Sequence, residues 1–125
     1  MKNVKIVDLM TIERLLLEIN LRYKFDLDFC EAYSLHSYLT SVGKITSYFF
    51  LIQEEFHNKY NDKELLKEYH DKLINGHVKF EVDGIIEFIE GITDKYGNDE
   101  FKELVGKLMF WDKKSIISFI FLSSQ

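Results

Sequence analysis

The apolar pattern predicts a mainly α (α+β) fold. A long helix and a shorter helix form an antiparallel αα-hairpin, followed by a small C-terminal subdomain of one or two short strands and a helix. Three observations carry this prediction. In "FDLDFCEAYSLHSYLTSVGKITSYFFLIQEEFHNKY" the apolar residues recur at alternating steps of three and four over four repeats. "NKYNDKELL" breaks that rhythm with turn residues and is followed by a second, shorter helical pattern. "HVKFEVDG" then changes to a period of two, as in a half-buried strand.

The elements follow in order. "KNVKIV" alternates loosely, as a short strand does. "DLMTIERLLLEINLRYK" carries Ile12, Leu15, Leu16 and Ile19 at helical spacing, with Thr11 or Asp8 as its N-cap. Asp26 or Asp28 caps the long helix, which extends for about 32 residues, or roughly 48 Å. Its seam is Ala32, Leu35, Leu39, Val42, Thr46, Phe49, Gln53, Phe56 and Tyr60, widened by Ile45, Tyr48 and Ile52. Gly43 inside it marks a close helix crossing or a mild bend. Asp62 caps "KELLKEYHDKLING", with Leu65, Leu66, Tyr69 and Leu73 inward and Gly76 at a left-handed C-cap. Val78, Phe80 and Val82 face the core of the next strand, which closes at a turn on Asp83-Gly84. "IIEFIEGI" fits a helix slightly better than a strand. Asn98 caps "NDEFKELVGKLMFW", with Phe101, Leu104, Val105 and Leu108 inward, and "SIISFIFLSS" at 115–124 reads as a strand or a short helix.

The chain has 125 residues, enough for one domain with its own core. Within that domain, 1–125, the hairpin occupies about 26–75 and a small acidic α/β subdomain about 77–125. A single cysteine, Cys30, rules out an internal disulfide and suits a reducing compartment. The N-terminal stretch has charges scattered through its apolar residues, so it lacks a signal-peptide core. No apolar run approaches the roughly 20 residues that span a bilayer.

The formal charge of −5 argues against direct nucleic-acid binding. Its distribution is uneven. Glu81, Asp83, Glu87, Glu90, Asp94, Asp99, Glu100 and Glu103 stand against only Lys95 and Lys102, so the rest of the chain is close to neutral. This stretch is either a solvated face or a docking surface for a basic partner.

Motifs with a chemical mechanism are weak. Glu54 and His57 make the Glu-x-x-His step of a di-metal carboxylate bundle, but the matching position before His70 is Lys67. The expectation is therefore no metal and no cofactor, with Glu54, His57 and His70 on solvated helical faces. Cys30 and His36 are six residues apart on one helix, about 9 Å along its axis, too far for a nucleophile–base pair. His36 is expected to be partly buried near the seam. No phosphate loop, nucleophile elbow or paired-cysteine zinc pattern is present. Neither arginine is followed by a histidine at the spacing that helical ribonucleases use. The aromatic residues fall on the inward stripe and read as core.

The order of elements resembles a group of small, uncharacterised proteins encoded by phages of low-GC Gram-positive bacteria. The resemblance lies in the long amphipathic helix ending at "HNKYND", the helix "KELLKEYHDKLI", the strand "HVKFEVDGI" and the closing "NDEFKELVGKLM", roughly residues 25–110. It implies an accessory protein in the cytoplasm of a bacterial host, or within a virion, and transfers no functional residue. The expected function is non-enzymatic: binding and modulating or inhibiting a host protein, an anti-defence role included. The partner would carry a basic surface to meet the acidic residues above. The alternative is a structural or assembly component of a virion, self-associating as a homo-oligomer through Tyr38, Tyr48 and Phe50.

Overall fold

The computed structural model describes residues 1–109. It is mainly helical, as the sequence predicts. The order is β1 (Lys2–Lys5), α1 (Ile6–Tyr23), α2 (Phe29–Lys59), α3 (Lys63–Ile74), β2 (His77–Phe80), α4 (Asp83–Tyr96) and α5 (residues 99–109). The expectations for Phe110, Trp111 and the 115–124 run lie outside the described residues.

β1 and β2 pair antiparallel, with Val4 opposite Val78 and Lys2 opposite Phe80. Val4 and Val78 point inward, while His77 and Lys79 face solvent. α1 follows β1 without a break. Its first amide, that of Ile6, donates to the Gly76 carbonyl at 2.9 Å. Neither predicted cap is used. The helix starts upstream of both, after Lys5, with no side-chain cap. Thr11 lies inside the helix, its hydroxyl donating to the Val7 carbonyl, and Asp8 is buried in the first turn.

α1 is the centre of the core. Leu9, Ile12, Leu15, Leu16 and Ile19 are fully inaccessible. α2 starts at a complete capping box: the Asp28 carboxylate accepts from the Glu31 amide, and Glu31 accepts from the Asp28 amide. Gly43 stands at a close crossing, because a Cβ there would lie 3.3 Å from Glu13 Oε2. The same carboxylate oxygen accepts the Thr46 hydroxyl at 2.9 Å. The α1–α2 contact is thus polar at this point and apolar on either side.

Of the predicted seam, Leu35, Val42, Thr46 and Phe49 are buried. Ala32, Leu39, Gln53 and Phe56 are half-buried, and Tyr60 is exposed. Burial fades toward the C-terminal end, where α3 is the neighbour and itself holds no buried residue. Asp62 caps α3 as expected, accepting from the Glu64 and Leu65 amides. Leu66, Tyr69 and Leu73 turn inward, but Leu65 is exposed. The Phe56 and Tyr69 rings stack at 4.0 Å and close the hairpin.

Two glycine expectations change. No described residue has positive φ, so Gly76 is not a left-handed cap. A Cβ there would sit 3.0 Å from the Leu73 carbonyl oxygen, so it is close approach that favours glycine. Asp83-Gly84 is not a turn. Asp83 opens α4, where its charge suits the helix N-terminus, and it pairs with Lys2 at 3.0 Å. α4 buries Ile85, Ile86, Ile89 and Ile92. Asn98 caps α5, accepting the Phe101 amide at 2.8 Å. Phe101, Val105 and Met109 join Val4, Val82, the buried residues of α1 from Leu9 to Tyr23, Leu35 and Val42 of α2 and the isoleucines of α4 in one cluster, while the buried Ile6 and Phe49 lie outside it.

Candidate functional site

His57 is exposed as expected, but His70 is half-buried and packed, contrary to the expectation of a solvated face. His70 Nδ1 lies 2.9 Å from Gln53 Oε1, and its ring meets Phe49 edge-on at 5.7 Å. Glu54 and His57 line an open groove with Phe50, Gln53 and Leu66. Among the described residues, no three His, Cys, Asp or Glu side chains come together in a way that could hold a metal ion. His36 departs from the expectation. It is exposed, in a shallow depression with Tyr33, Ser37, Thr40 and Ser41, because its position on α2 faces away from α1. Cys30 is exposed as well.

The eight acidic candidates divide into groups. Asp83, Glu87, Glu90 and Asp94 recur at steps of four, three and four along α4, opposite its buried isoleucines. They form one solvent-side stripe, and like charges at that spacing repel mildly. Glu87 and Asp94 are exposed on it, and Glu90 is half-buried. Glu81 lies in the link between β2 and α4. Asp99, Glu100 and Glu103 occupy the first turns of α5, where the helix dipole favours carboxylates. Glu100 also lies 3.6 Å from the Arg22 guanidinium.

One ionisable cluster ties the start of α2 to the end of α4. Glu31 Oε1 accepts the Tyr96 hydroxyl at 2.6 Å and the Asp28 amide at 2.9 Å, and Lys95 Nζ lies 3.2 Å from Oε2. The Tyr96 bond, then the Asp28 amide, hold the Glu31 carboxyl below its ordinary value of 4.5. The same bond holds the Tyr96 phenol above its ordinary value of 10.0. A depressed carboxyl contributes stability that is fully present above the unfolded value and lost as pH falls through the folded one. A raised phenol contributes stability present below the unfolded value and lost as pH rises through the folded one. The urea midpoint is therefore expected to fall on both sides, below about pH 5 and above about pH 10. Glu31→Gln should flatten both limbs relative to the parent chain. Unchanged limbs in that variant would remove the cluster from the account.

The exposed apolar residues correct the reading of all aromatics as core. Phe25, Phe29, Tyr33 and Tyr60 are exposed against that reading, while Tyr48 and Phe50 are exposed as the self-association alternative expects. They form two groups and a flank. At the corner between α1 and α2, Leu21, Phe25 and Phe29 are 72%, 92% and 81% exposed, with Leu17 and Tyr33 beside them. Phe29 and Tyr33 stack on each other at 6.2 Å, and the Lys24 ammonium lies 5.1 Å from the Phe25 ring. The second group, Tyr48, Leu51 and Ile52, is on the outer side of α2. Phe50 flanks the hairpin groove and meets Phe49 edge-on. Tyr38, expected as spare surface, is instead half-buried and packs edge-on against Phe88 at 5.4 Å.

Among the described residues, no helix is long and apolar enough to cross a membrane. Comparison with protein-family models, with curated proteins and with solved structures found no match for this chain. What the geometry offers is surface: an aromatic corner, an acidic stripe and an apolar helix face.

Proposed function

We propose that this chain is a non-enzymatic binding protein that modulates or inhibits a protein partner. The observation that carries the reading is the α1–α2 corner, where Leu17, Leu21, Phe25, Phe29 and Tyr33 stand in solvent within one short stretch of chain. Clustered aromatic and aliphatic side chains of this kind mark interaction sites and supply the anchors that dominate binding energy. The acidic stripe of α4 adds steering toward a partner with a basic surface, raising the on-rate more than the final affinity. The resemblance to phage-encoded proteins supports a bacterial host protein as that partner, anti-defence inhibition being one form of the role. The mechanism is steric: the corner occupies a surface that the partner needs.

The test is capture from bacterial lysate with mass-spectrometric identification, run in parallel on three baits. The parent chain should retain one protein at fixed stoichiometry. Phe25→Glu with Phe29→Glu should lose it. Glu87→Lys with Asp94→Lys should retain it with slower association, most visibly at low salt. Equal capture by the parent and the corner variant would end the reading, as would no capture at all. A second reading, an assembly component of a virion, is favoured by the exposed outer face of α2.

A further inference from the structure

We infer that α2 carries a self-complementary face through which two copies of this chain pair as an antiparallel, two-fold dimer. The inference does not rest on the corner discussed above. Ser37, Ser41, Lys44, Tyr48, Leu51 and Glu55 recur at steps of four, three, four, three and four, and all six are exposed. This is a second heptad stripe on the same helix, on the side away from the buried seam. Its centre is apolar: Tyr48, Leu51 and the adjoining Ile52 are 55%, 51% and 40% exposed.

That centre is flanked by charges of opposite sign. Lys44 precedes Tyr48 by one turn, and Glu55 follows Leu51 by one turn. Among the described residues, neither makes an ion pair. Two such helices can be placed antiparallel about a two-fold axis between positions 49 and 50. Lys44 of one copy then falls opposite Glu55 of the other, and Tyr48 opposite Leu51. Symmetry makes each pairing twice. A parallel arrangement would instead set Lys44 against Lys44 and Glu55 against Glu55 and be repelled. The stripe therefore fits its own copy in one orientation, as an isologous interface requires. The location suits the role. In α2 the buried residues are Leu35, Val42, Thr46 and Phe49, and the stripe lies on the other side of the helix from them.

The interface is small, so the dimer should be weak, with dissociation on the order of ten micromolar. Sedimentation equilibrium from low micromolar to near-millimolar concentration tests it. The parent chain is expected to dimerise, and Leu51→Glu to stay monomeric. Lys44→Glu and Glu55→Lys should each weaken the dimer about tenfold, and the double swap K44E/E55K should return it to within about threefold of the parent. Molar salt should erase the difference between single and double variants. All these positions are exposed, so helical circular dichroism should be unchanged. Phe25→Glu with Phe29→Glu should leave dimerisation intact, which separates this face from the corner. A parent chain that stays monomeric overturns the inference. So does a dimer insensitive to Leu51→Glu, one lost in the corner variant, or a double swap no better than either single change.

Discussion

Phe101→Ala is expected to cost about 3–5 kcal/mol, a large part of the stability of a domain this size. The ring is fully buried near the start of α5. It meets Tyr23 edge-on at 5.2 Å, and the Arg22 guanidinium lies 5.6 Å from its centroid. Tyr23 in turn accepts the Asn98 amide at 3.2 Å. Truncating the ring leaves a cavity between the last turn of α1 and the first of α5 and loosens the cap that starts α5. Because the ring belongs to the cluster that joins α1, α2, α4 and α5, the loss should appear as a single transition at lower urea concentration. Far- and near-ultraviolet circular dichroism should report the same midpoint. A cost below about 1 kcal/mol, or two resolved transitions, would mean that α5 is an appendage and not part of the core.

The parts of the fold legible in the sequence are those set by neighbours along the chain. Asp28, Asp62 and Asn98 cap helices because a short side-chain acceptor meets amides two or three residues on. The span of α2 follows from an unbroken stripe. The inward residues of α1 are legible for the same reason, although the central place of α1 is not. Asp83-Gly84 misleads because the same residues serve a turn or a helix start, and only the Lys2 contact and the buried isoleucines decide between them. The β1–β2 pairing joins residues more than seventy positions apart. Alternation names the buried face of a strand but not its partner.

The surfaces were less legible, for a related reason. The heptad seam of α2 draws Tyr48 and Ile52 into the core on paper, yet "YFFLI" at 48–52 holds five consecutive apolar residues. Five residues cover more than a full turn, so some must face away from any single neighbour. That run is the signal for the outer face. Leu17 and Leu21 oppose the buried stripe of α1 by the same geometry. The eight acidic residues were legible as a composition, but only helix phase separates the four on α4 from the three that favour the start of α5.

Val4→Asp is the second large effect, expected to cost about 3–5 kcal/mol at neutral pH. Val4 is 1% exposed, directly opposite Val78, and part of the core cluster. A carboxylate there loses its water and gains no designed cation. The fold can accommodate it only by protonating it, so its folded pKa should rise above the unfolded value. The sign follows: the variant's deficit is full at neutral pH and shrinks as pH falls toward the unfolded carboxyl range, opposite to the behaviour of Glu31. Lys79→Asp is the matched control. Lys79 is exposed on β2, opposite Asn3, and the change should stay within about 0.5 kcal/mol. Urea titrations at neutral and mildly acid pH measure both. A one-residue slip flips only the strand that moves, so Val4 and Lys79 would then share a face and the two changes would be alike, both damaging or both tolerated. The two variants therefore read the register of the sheet directly. They also test whether the first strand of the chain holds the link between the hairpin and α4, since β2 has no other strand partner among the described residues.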